Sequence, residues 1–292
     1  RYCERSFGVL KVFRDSASLA KAVTVAEQLA ERGVVHRALD REGVAEVEPS
    51  LAPVAGQLAG GILHPDDESG DAHRFVCALA EAASGAGVRF EFDTAVTGLR
   101  AEGNRLTAVA TTAGDLGVDA CVLAAGSYST PLLAGLGIRL PVRPVKGYSI
   151  TVPFGDDSLA PRRPITDDAL HIAVTPFGDR LRVAGTAEFT GLDHSVGEPR
   201  IRNLREMFET MFPRCAATVD PDADLSPWSG LRPMSVDGVP VLGATPLANL
   251  YLNTGHGHLG WTMAAGSGRA VARLVCGGEP ELPLQPYRLE RF

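Results

Sequence analysis

A strand, a glycine-rich loop and a helix follow one another near the end of the chain, and they constrain the fold more than any other segment. Residues 250–253 are typical of a short strand, and residues 253–268, NTGHGHLGWTMAAGSG, lead through the loop into a helix. The helix ends at Gly277-Gly278. Backbone amides and the positive end of the helix dipole favour an anionic or electron-rich group at such a loop. The segment therefore predicts α/β structure with a ligand near this turn.

The loop also imitates a dinucleotide fingerprint. Gly255, Gly257 and Gly260 match G-x-G-x-x-G, but no second strand and no acidic ribose partner follow about 20 residues later. We therefore interpret the spacing as a mimic, and a nicotinamide-dependent dehydrogenase ranks last among the functions considered. His256 and His258 lie two residues apart without an obvious third ligand, whereas zinc sites usually have three or four. We predict no metal site.

Two other segments place small or charged residues where a ligand can approach. Residues 119–130, DACVLAAGSYST, run from a buried strand into a turn of small and hydroxyl residues, although a plain strand end explains them more simply. Residues 228–243, WSGLRPMSVDGVPVLG, hold Arg232 between Gly230 and Pro233 in a stretch poor in charge. Such a guanidinium suits bidentate capture of a carboxylate, and a structural salt bridge explains it equally well.

Composition limits the classes of partner. The chain has 28 Lys and Arg against 35 Asp and Glu, a net charge of −7, which argues against nucleic acid. Its 292 residues, 45% hydrophobic, are enough for about two domains with a substantial core. The longest uncharged run, 120–138, contains Pro131 and three glycines, so we reject a transmembrane span. Five scattered cysteines without a CxxC pair indicate a reducing compartment.

The remaining pattern alternates helices and strands, with a β meander in the first half and a second sheet between residues 140 and 228. The predicted strands are 7–13, 34–39, 88–92, 95–102, 105–112, 116–123, 147–152, 170–176 and 180–186. The predicted helices begin at Ser16, Arg41, after an N-cap at Asp71, and at about Pro199. We interpret residues 56–71 as a turn-rich bridge.

Seven phrases along the chain occur in the order of a known family. They are GVLKVFR (8–14), EVEPSLA (46–52), HPDDESGDAHRF (64–75), AAGSYSTPLL (124–133), PVKGYSITVP (144–153), GLRPMSVDGVPVLG (230–243) and LNTGHGHLGWTMAAGSG (252–268). Together they resemble the FAD-dependent D-amino acid oxidase superfamily, and within it the bacterial D-amino acid dehydrogenase small subunits.

The resemblance implies a mixed α/β (α+β) fold. A Rossmann-like FAD-binding domain, residues 65–140 and 228–292, is interleaved with an antiparallel-sheet substrate domain, residues 1–64 and 141–227. Family members begin with a strand, a GxGxxG turn and a helix that hold the FAD pyrophosphate. Nothing in this chain matches that unit, so we expect an N-terminally truncated member whose own affinity for FAD and own activity are open questions.

The resemblance also assigns residues to FAD. Val96 lies in the strand that meets the adenine, and Ala124, Ala125 and Gly126 lie beneath the ribose and pyrophosphate. Gly230 belongs to the cofactor set as well. The loop around the flavin pyrimidine edge corresponds to Gly257, His258, Leu259, Gly260, Trp261 and Thr262.

For the substrate, the resemblance implies that Arg232 grips the carboxylate. Tyr148 faces the flavin, where it either hydrogen-bonds the substrate or packs. Lys146 either approaches the flavin or pairs with an acid at the surface, and we favour the surface.

The implied reaction is oxidative deamination of D-amino acids, with hydride transfer from the α-carbon to flavin N5 and release of a 2-oxo acid and ammonia. Sister substrates such as glycine, sarcosine or proline-like amines, or a non-catalytic truncated fragment, are the alternatives. The implied partners are the D-amino acid, a quinone or another electron acceptor, and a partner subunit. The implied location is cytoplasmic, with peripheral contact at the inner membrane face.

Overall fold

The structure is a computed structural model that describes residues 2–153 and 156–292. The chain divides into two compact units. Unit 1 comprises Arg1–Gly87, Gly147–Ala187 and Ser195–Ser229, and unit 2 comprises Val88–Lys146, Glu188–His194 and Gly230–Phe292. Helices and strands occur in both units, which confirms the predicted mixed α/β class.

Seven helices are described. They are α1 (Ser16–Ala30), α2 (Arg41–Val47), α3 (Ala72–Gly85), α4 (Ser129–Ala134), α5 (Glu198–Met211), α6 (Pro213–Ala216) and α7 (Gly260–Val275). The described strands are β1 (Val9–Phe13), β2 (Arg37–Leu39), β3 (Gly60–His64), β4 (Val96–Glu102), β5 (Arg105–Thr111), β6 (Gly114–Gly117), β7 (Cys121–Leu123), β8 (Val142–Pro153), β9 (Ile165–Asp167), β10 (Ile172–Phe177), β11 (Arg180–Glu188), β12 (Trp228–Ser235), β13 (Val241–Ala244) and β14 (Leu250–Thr254). No helix in the described ranges is long and apolar enough to cross a lipid bilayer.

Unit 1 contains most of β8 followed, in hydrogen-bonded order, by β11, β10, β9, β1, β3 and β2. The β1–β9 pair is parallel, while β1–β3, β2–β3, β9–β10 and β10–β11 are antiparallel. The strands alternate between a core face and an opposite face, as β11 illustrates, because Leu181 and Val183 are fully buried between half-exposed neighbours. Helix α5 contributes Leu204 and Phe208, one turn apart, to the same core.

Strand β3 lies inside the segment that the sequence predicted as a bridge, so that prediction was wrong. Its glycines explain the error. A Cβ on Gly60 would collide with the carbonyl oxygen of Leu39, and one on Gly61 would lie 2.9 Å from the carbonyl oxygen of Lys11. Because glycine is required here for close approach between strands, a residue type that usually indicates a turn marks a strand instead.

Two predicted strands were also wrong. Residues 88–92 form no strand, and Phe92 is 75% exposed, because their apolar alternation finds no neighbouring strand among the described residues. The predicted strand 116–123 is two strands, β6 and β7, which belong to different sheets. Of the predicted strand 34–39, only β2 is present.

Residues 65–87, which the sequence assigned to the FAD-binding domain, belong to unit 1. Arg5 forms a β-bridge with Ser69, and the Arg180 guanidinium lies 3.3 Å from Asp71 Oδ2. Asp71 caps α3 as predicted, since its side chain accepts a hydrogen bond from the Arg74 amide at 3.1 Å. The other boundaries of the units differ less: residues 141–146, 188–194 and 228–229 also change sides.

Unit 2 contains two three-stranded sheets, β13-β14-β7 and the meander β4-β5-β6. One buried amide joins them. Asn249 accepts a hydrogen bond from the Leu106 amide at 2.8 Å and donates to the carbonyl oxygens of Leu106 and Asp119, both at 2.9 Å. Because all of these polar groups are paired, the link is stable in the core and fixes the meander beside β14.

Candidate active site

The candidate site lies at the carboxyl ends of two neighbouring strands of unit 2. Strands β7 and β14 are parallel, with Leu250 opposite Cys121 and Leu252 opposite Leu123. The loops that follow them, 124–128 and 255–259, therefore leave from the same edge of the sheet. Ligands of open α/β sheets bind outside this edge.

Buried hydroxyl groups tie the two loops together. The Thr254 hydroxyl donates a hydrogen bond to the carbonyl oxygen of Gly126 at 3.2 Å, and the Ser129 hydroxyl donates to Thr254 Oγ1 at 3.4 Å. Ser129 and Thr254 are 0% and 1% exposed. These bonds set the spacing of the loops without involving their amide groups.

Both loops turn through backbone conformations that glycine adopts easily. Gly126 has a φ of +55° and Gly257 a φ of +58°. A Cβ on Gly257 would also lie 2.7 Å from Met234 Sδ. A side chain would strain the backbone at both turns and would also clash with Met234 at Gly257, so glycine leaves the backbone free to approach a ligand.

Strand β12 brings the third sequence motif to the same place. Met234 and His256 form an antiparallel bridge, and the Ser127 hydroxyl donates to the carbonyl oxygen of Leu231 at 3.5 Å. Arg232 lies between these two contacts on the strand and is partly buried. Burial lowers the pKa of its guanidinium from the usual value, which makes an anionic partner more valuable to it.

His256 has a structural role in this loop that we did not predict from the sequence. His256 Nε2 lies 3.0 Å from the Ser267 hydroxyl of α7, and burial lowers the pKa of the ring. The neutral ring thus connects the glycine loop to the helix behind it. A histidine and a serine eleven residues apart span the loop and two helical turns, and this spacing is the sequence signal for the contact. We considered His256 only as a metal ligand and so did not predict it.

A ring pair also borders the first loop. The Tyr128 hydroxyl lies 2.8 Å from His194 Nε2, and the two rings stack with centroids 6.3 Å apart. The hydroxyl-rich run 127–130 marked the Tyr128 end, but nothing in the sequence indicated its partner 66 residues away.

Eleven of the thirteen predicted site residues lie in these three segments of unit 2. The eleven are Ala124, Ala125, Gly126, Gly230, Arg232, Gly257, His258, Leu259, Gly260, Trp261 and Thr262. Val96 is at the start of β4 in the separate meander sheet and is 44% exposed. Tyr148 belongs to unit 1, where it is 3% exposed in the same core cluster as Ile150 and Val152. A role of Tyr148 toward a substrate stays a prediction.

Lys146 departs from its predicted surface position. Its side chain is only 2% exposed, and Nζ lies 2.7 Å from Asp193 Oδ2, whose own side chain is 46% exposed. The predicted pairing with an acid is present, but the surface location was wrong because the aliphatic stem is buried and the partner residue reaches inward.

No group of three or more His, Cys, Asp or Glu side chains that could hold a metal ion occurs in residues 2–153 or 156–292. The chemistry that this site offers consists of loop amides, small residues and one desolvated guanidinium. Such a set suits a flat, anionic cofactor beside a carboxylate-bearing molecule.

Comparisons with known proteins agree with this description. The model of the family described as "FAD dependent oxidoreductase" (DAO) matches residues 3–274. "D-amino acid dehydrogenase" of Bradyrhizobium diazoefficiens is 46% identical over 295 residues, which cover 100% of this chain and 68% of that protein. The protein of the same name from Rhizobium johnstonii is 43% identical over 294 residues, covering 100% of this chain and 69% of that protein.

Two solved structures share the fold. Glycine oxidase from Geobacillus kaustophilus has a TM-score of 0.91 and 27% identity, covering 100% of this chain and 76% of that chain. L-proline dehydrogenase from P. horikoshii has a TM-score of 0.86 and 21% identity, covering 99% of this chain and 78% of that chain.

Proposed function

The chain belongs to the FAD dependent oxidoreductase family, and from this premise we propose that it catalyses the oxidative deamination of D-amino acids. The main support is that the strand of Arg232 contacts both glycine loops at one edge of the sheet. The chain also matches D-amino acid dehydrogenases over its whole length. The products are a 2-oxo acid and ammonia, which form when the imino acid is hydrolysed.

The residues at the sheet edge fit FAD, the cofactor of the family. The Gly126 and Gly257 turns have no side chain to obstruct a cofactor, and the amides at the start of α7 point their positive dipole end toward the loop. We assign residues 124–126 to the ribose and pyrophosphate and residues 257–262 to the flavin edge. When bound, FAD supplies the two-electron chemistry by accepting hydride from the substrate α-carbon at N5. The protein supplies orientation and electrostatic stabilisation. We keep Val96 as a contact to the adenine.

Arg232 is assigned to the substrate carboxylate. Its guanidinium offers two parallel donors to a carboxylate, and its partial burial strengthens the ion pair. Because the carboxylate is fixed in this way, the α-carbon has a defined orientation, and only one enantiomer of the amino acid presents its α-hydrogen correctly for reaction.

We assign no general base to the reaction. His256 of this loop is already in contact with the Ser267 hydroxyl, at 3.0 Å from Nε2. The amine is therefore expected to lose its proton to solvent before oxidation, so activity should rise with pH as the amine deprotonates.

The alternative is a sister substrate, and the similarity to glycine oxidase, with its TM-score of 0.91, gives it some support. Steady-state rates with D-alanine, glycine, sarcosine and L-proline separate the two. D-alanine should give the highest kcat/KM. A higher kcat/KM with glycine or L-proline would replace the proposed substrate class.

For the electron acceptor, we propose a quinone or another carrier rather than oxygen, because the relatives are named dehydrogenases. Electron delivery to a quinone would place the protein in the cytoplasm at the inner face of the membrane, with a partner subunit as a further expected component. D-alanine should therefore reduce a water-soluble quinone faster than it drives oxygen uptake. Equal rates would remove this part of the proposal.

A further inference from the structure

A concave pocket on unit 2 combines apolar walls with positive charge. It has a volume of about 390 Å³ and is lined by residues 137–141, Arg143, Val236 and two residues of α4, Thr130 and Ala134. Its charged lining residues are Arg139 and Arg143, and no acidic residue lines it. All of the lining belongs to unit 2, and none of it is assigned above to FAD or to the substrate.

Hydrogen bonds fix the walls of this pocket. The Thr130 hydroxyl donates to the carbonyl oxygen of Val142 at 2.9 Å, and the Val236 amide donates to the carbonyl oxygen of Pro141 at 3.2 Å. Leu140 is 2% exposed and anchors the segment between them in the core of unit 2. The pocket is therefore preformed, so a ligand that enters it does not have to order the backbone first.

The two arginines of the pocket are exposed and hold no acid. Neither Arg139 nor Arg143 forms an ion pair within 4 Å in residues 2–153 or 156–292. The Arg143 side chain makes one hydrogen bond there, to the carbonyl oxygen of Val142 at 3.4 Å. Both guanidinium groups are therefore available to an anion from outside the chain.

The turn after β12 places an apolar side chain at the rim of the pocket. The Gly238 amide donates to the carbonyl oxygen of Ser235 at 3.3 Å, and Val236 inside this turn is 69% exposed. Asp237, the acid of the same turn, is bound by Arg291 at 2.8 and 3.1 Å, and this guanidinium lowers the pKa of Asp237 to about 2. The turn therefore presents an apolar residue to solvent while its acid is already paired.

This combination suits the surface of an anionic membrane. Guanidinium groups bind phosphate through parallel N–H donors, and an exposed apolar residue beside them can enter the boundary between headgroups and acyl chains. The chain has a net charge of −7 and is repelled as a whole by an anionic surface, so contact requires a locally basic patch. At physiological salt, exposed charges more than about 8 Å apart are largely screened, which lets such a patch act independently of the net charge.

We propose that this pocket, through Arg139 and Arg143, binds the phosphate groups of anionic phospholipids. The choice of a lipid rests on the proposed function, because delivery of electrons to a membrane quinone requires contact with the bilayer. The site would then hold unit 2 at the membrane surface.

Co-sedimentation of the FAD-reconstituted protein with vesicles tests this site. Vesicles of phosphatidylcholine with roughly 30% phosphatidylglycerol are compared with vesicles of phosphatidylcholine alone, at physiological salt. Calorimetric titration with glycerol phosphate is the parallel probe for a free phosphate. The vesicles offer the same phosphate chemistry together with an apolar layer, so the two probes distinguish the sources.

The variants separate the two arginines from charge in general. Arg139→Gln with Arg143→Gln removes both guanidinium groups, and Arg139→Lys with Arg143→Lys keeps both charges. Arg89→Gln with Arg100→Gln is the matched control, because it removes two exposed arginine charges of unit 2 that already have acidic partners.

The native protein should bind the anionic vesicles and leave the neutral ones unbound. Arg139→Gln with Arg143→Gln should weaken this binding by about thirtyfold, since each arginine near an anionic surface contributes about fivefold. Arg139→Lys with Arg143→Lys should retain most of the binding, and the control pair should change it by no more than about twofold. Val236→Ser should weaken it by at least about twofold, because an apolar contact with lipid is lost.

Three results would overturn the proposal. The first is a native protein that does not bind anionic vesicles, and the second is an equal loss of binding in the Arg139→Gln, Arg143→Gln protein and in the control pair. The third is binding of glycerol phosphate that depends on both arginines without any binding of vesicles, which would identify a free phosphorylated molecule as the ligand.

Turnover of D-alanine with a water-soluble quinone separates this site from the proposed reaction. Arg139→Gln with Arg143→Gln should leave kcat/KM in that assay within about twofold of the native value while vesicle binding is lost. A native protein without D-alanine turnover would contradict the proposed reaction but not the vesicle result. Loss of turnover with the soluble quinone in this double variant would place the arginines in the active site and would overturn the inference.

Discussion

The hydroxyl of Thr254, at the end of β14, donates a hydrogen bond to the carbonyl oxygen of Gly126, at the turn after β7, at 3.2 Å. These residues are 128 positions apart in the chain, and their bond joins the two loops that we assign to FAD. The site is therefore a property of the parallel pair β7–β14 rather than of either loop alone.

Replacement of Thr254 by valine should weaken both the fold and the site. Valine keeps the shape of threonine but leaves the Gly126 carbonyl and the Ser129 hydroxyl without this partner, at a cost of about 1–3 kcal/mol in the free energy of unfolding. Urea unfolding and titration with FAD measure both effects. Thr24→Val on the exposed side of α1 is the control and should change neither quantity. Unaltered stability and FAD affinity in Thr254→Val would contradict the role of this bond.

Gly257→Ala should destabilise the glycine turn by two separable effects. The φ of +58° strains an alanine by about 1 kcal/mol, and the new Cβ meets Met234 Sδ at 2.7 Å. The double variant Gly257→Ala with Met234→Ala should recover only the steric part of FAD affinity. Gly266→Ala within α7, where a Cβ meets open space, should instead be neutral or stabilising. Equal FAD affinity in the Gly257→Ala and Gly266→Ala variants would contradict this prediction.

Arg232→Met should lower kcat/KM for D-alanine by a factor of roughly 30 to several thousand, because an ion-paired bidentate contact is lost. This factor corresponds to a loss of about 2–5 kcal/mol in transition-state binding. Arg232→Lys should recover only part of it, since lysine lacks the planar fork. The control is Arg100→Met, which removes an exposed ion pair with Asp115 in the same unit. A loss of twofold or less in Arg232→Met would exclude Arg232 as the carboxylate group.

His256 should make stability depend on pH. Burial holds its folded pKa below the ordinary value of 6.5, so the unfolded chain binds more protons between the two values. The contribution of neutral His256 to the free energy of unfolding is fully present above about pH 6.5 and is lost as the pH falls through the lower folded pKa. Urea unfolding between pH 5 and pH 8 should show this loss in the native protein and a flatter profile in His256→Gln. Identical profiles would contradict it.

The Lys146–Asp193 pair should respond asymmetrically to mutation. Asp193→Asn removes an acidic partner from a lysine whose side chain is 2% exposed, whereas Lys146→Met removes a basic partner from an aspartate whose side chain is 46% exposed. We expect Asp193→Asn to cost about 1–3 kcal/mol more in the free energy of unfolding than Lys146→Met. Chemical denaturation of both variants measures the difference, and a larger loss in Lys146→Met would contradict the burial argument.

Local signals explain what the sequence predicted correctly. The cap at Asp71, helix α2 with its observed bounds 41–47, and the succession of β14, glycine loop and α7 each depend on neighbouring residues. The three motifs that meet at the site were recognised one by one. The parallel pairing of β7 with β14 brings two of them together, and the bridge between Met234 and His256 brings in the third.

Long-range packing explains what the sequence did not predict. Gly60 and Gly61 are strand residues because β1 and β2 pass close to them, which no local pattern indicates. Lys146 is buried beside an aspartate 47 residues away. Tyr148 packs with Ile150 of its own strand in a core that also contains residues from distant segments. These positions depend on which surfaces the folded chain covers, not on the residue type alone.

The most direct test is the visible spectrum of the protein reconstituted with FAD, recorded without oxygen before and after addition of D-alanine, with L-alanine as the control. We expect a bound-flavin band that D-alanine bleaches and L-alanine leaves intact, which would establish cofactor, substrate class and handedness together. Bleaching by L-alanine alone, or a bound flavin that neither form reduces, would contradict it.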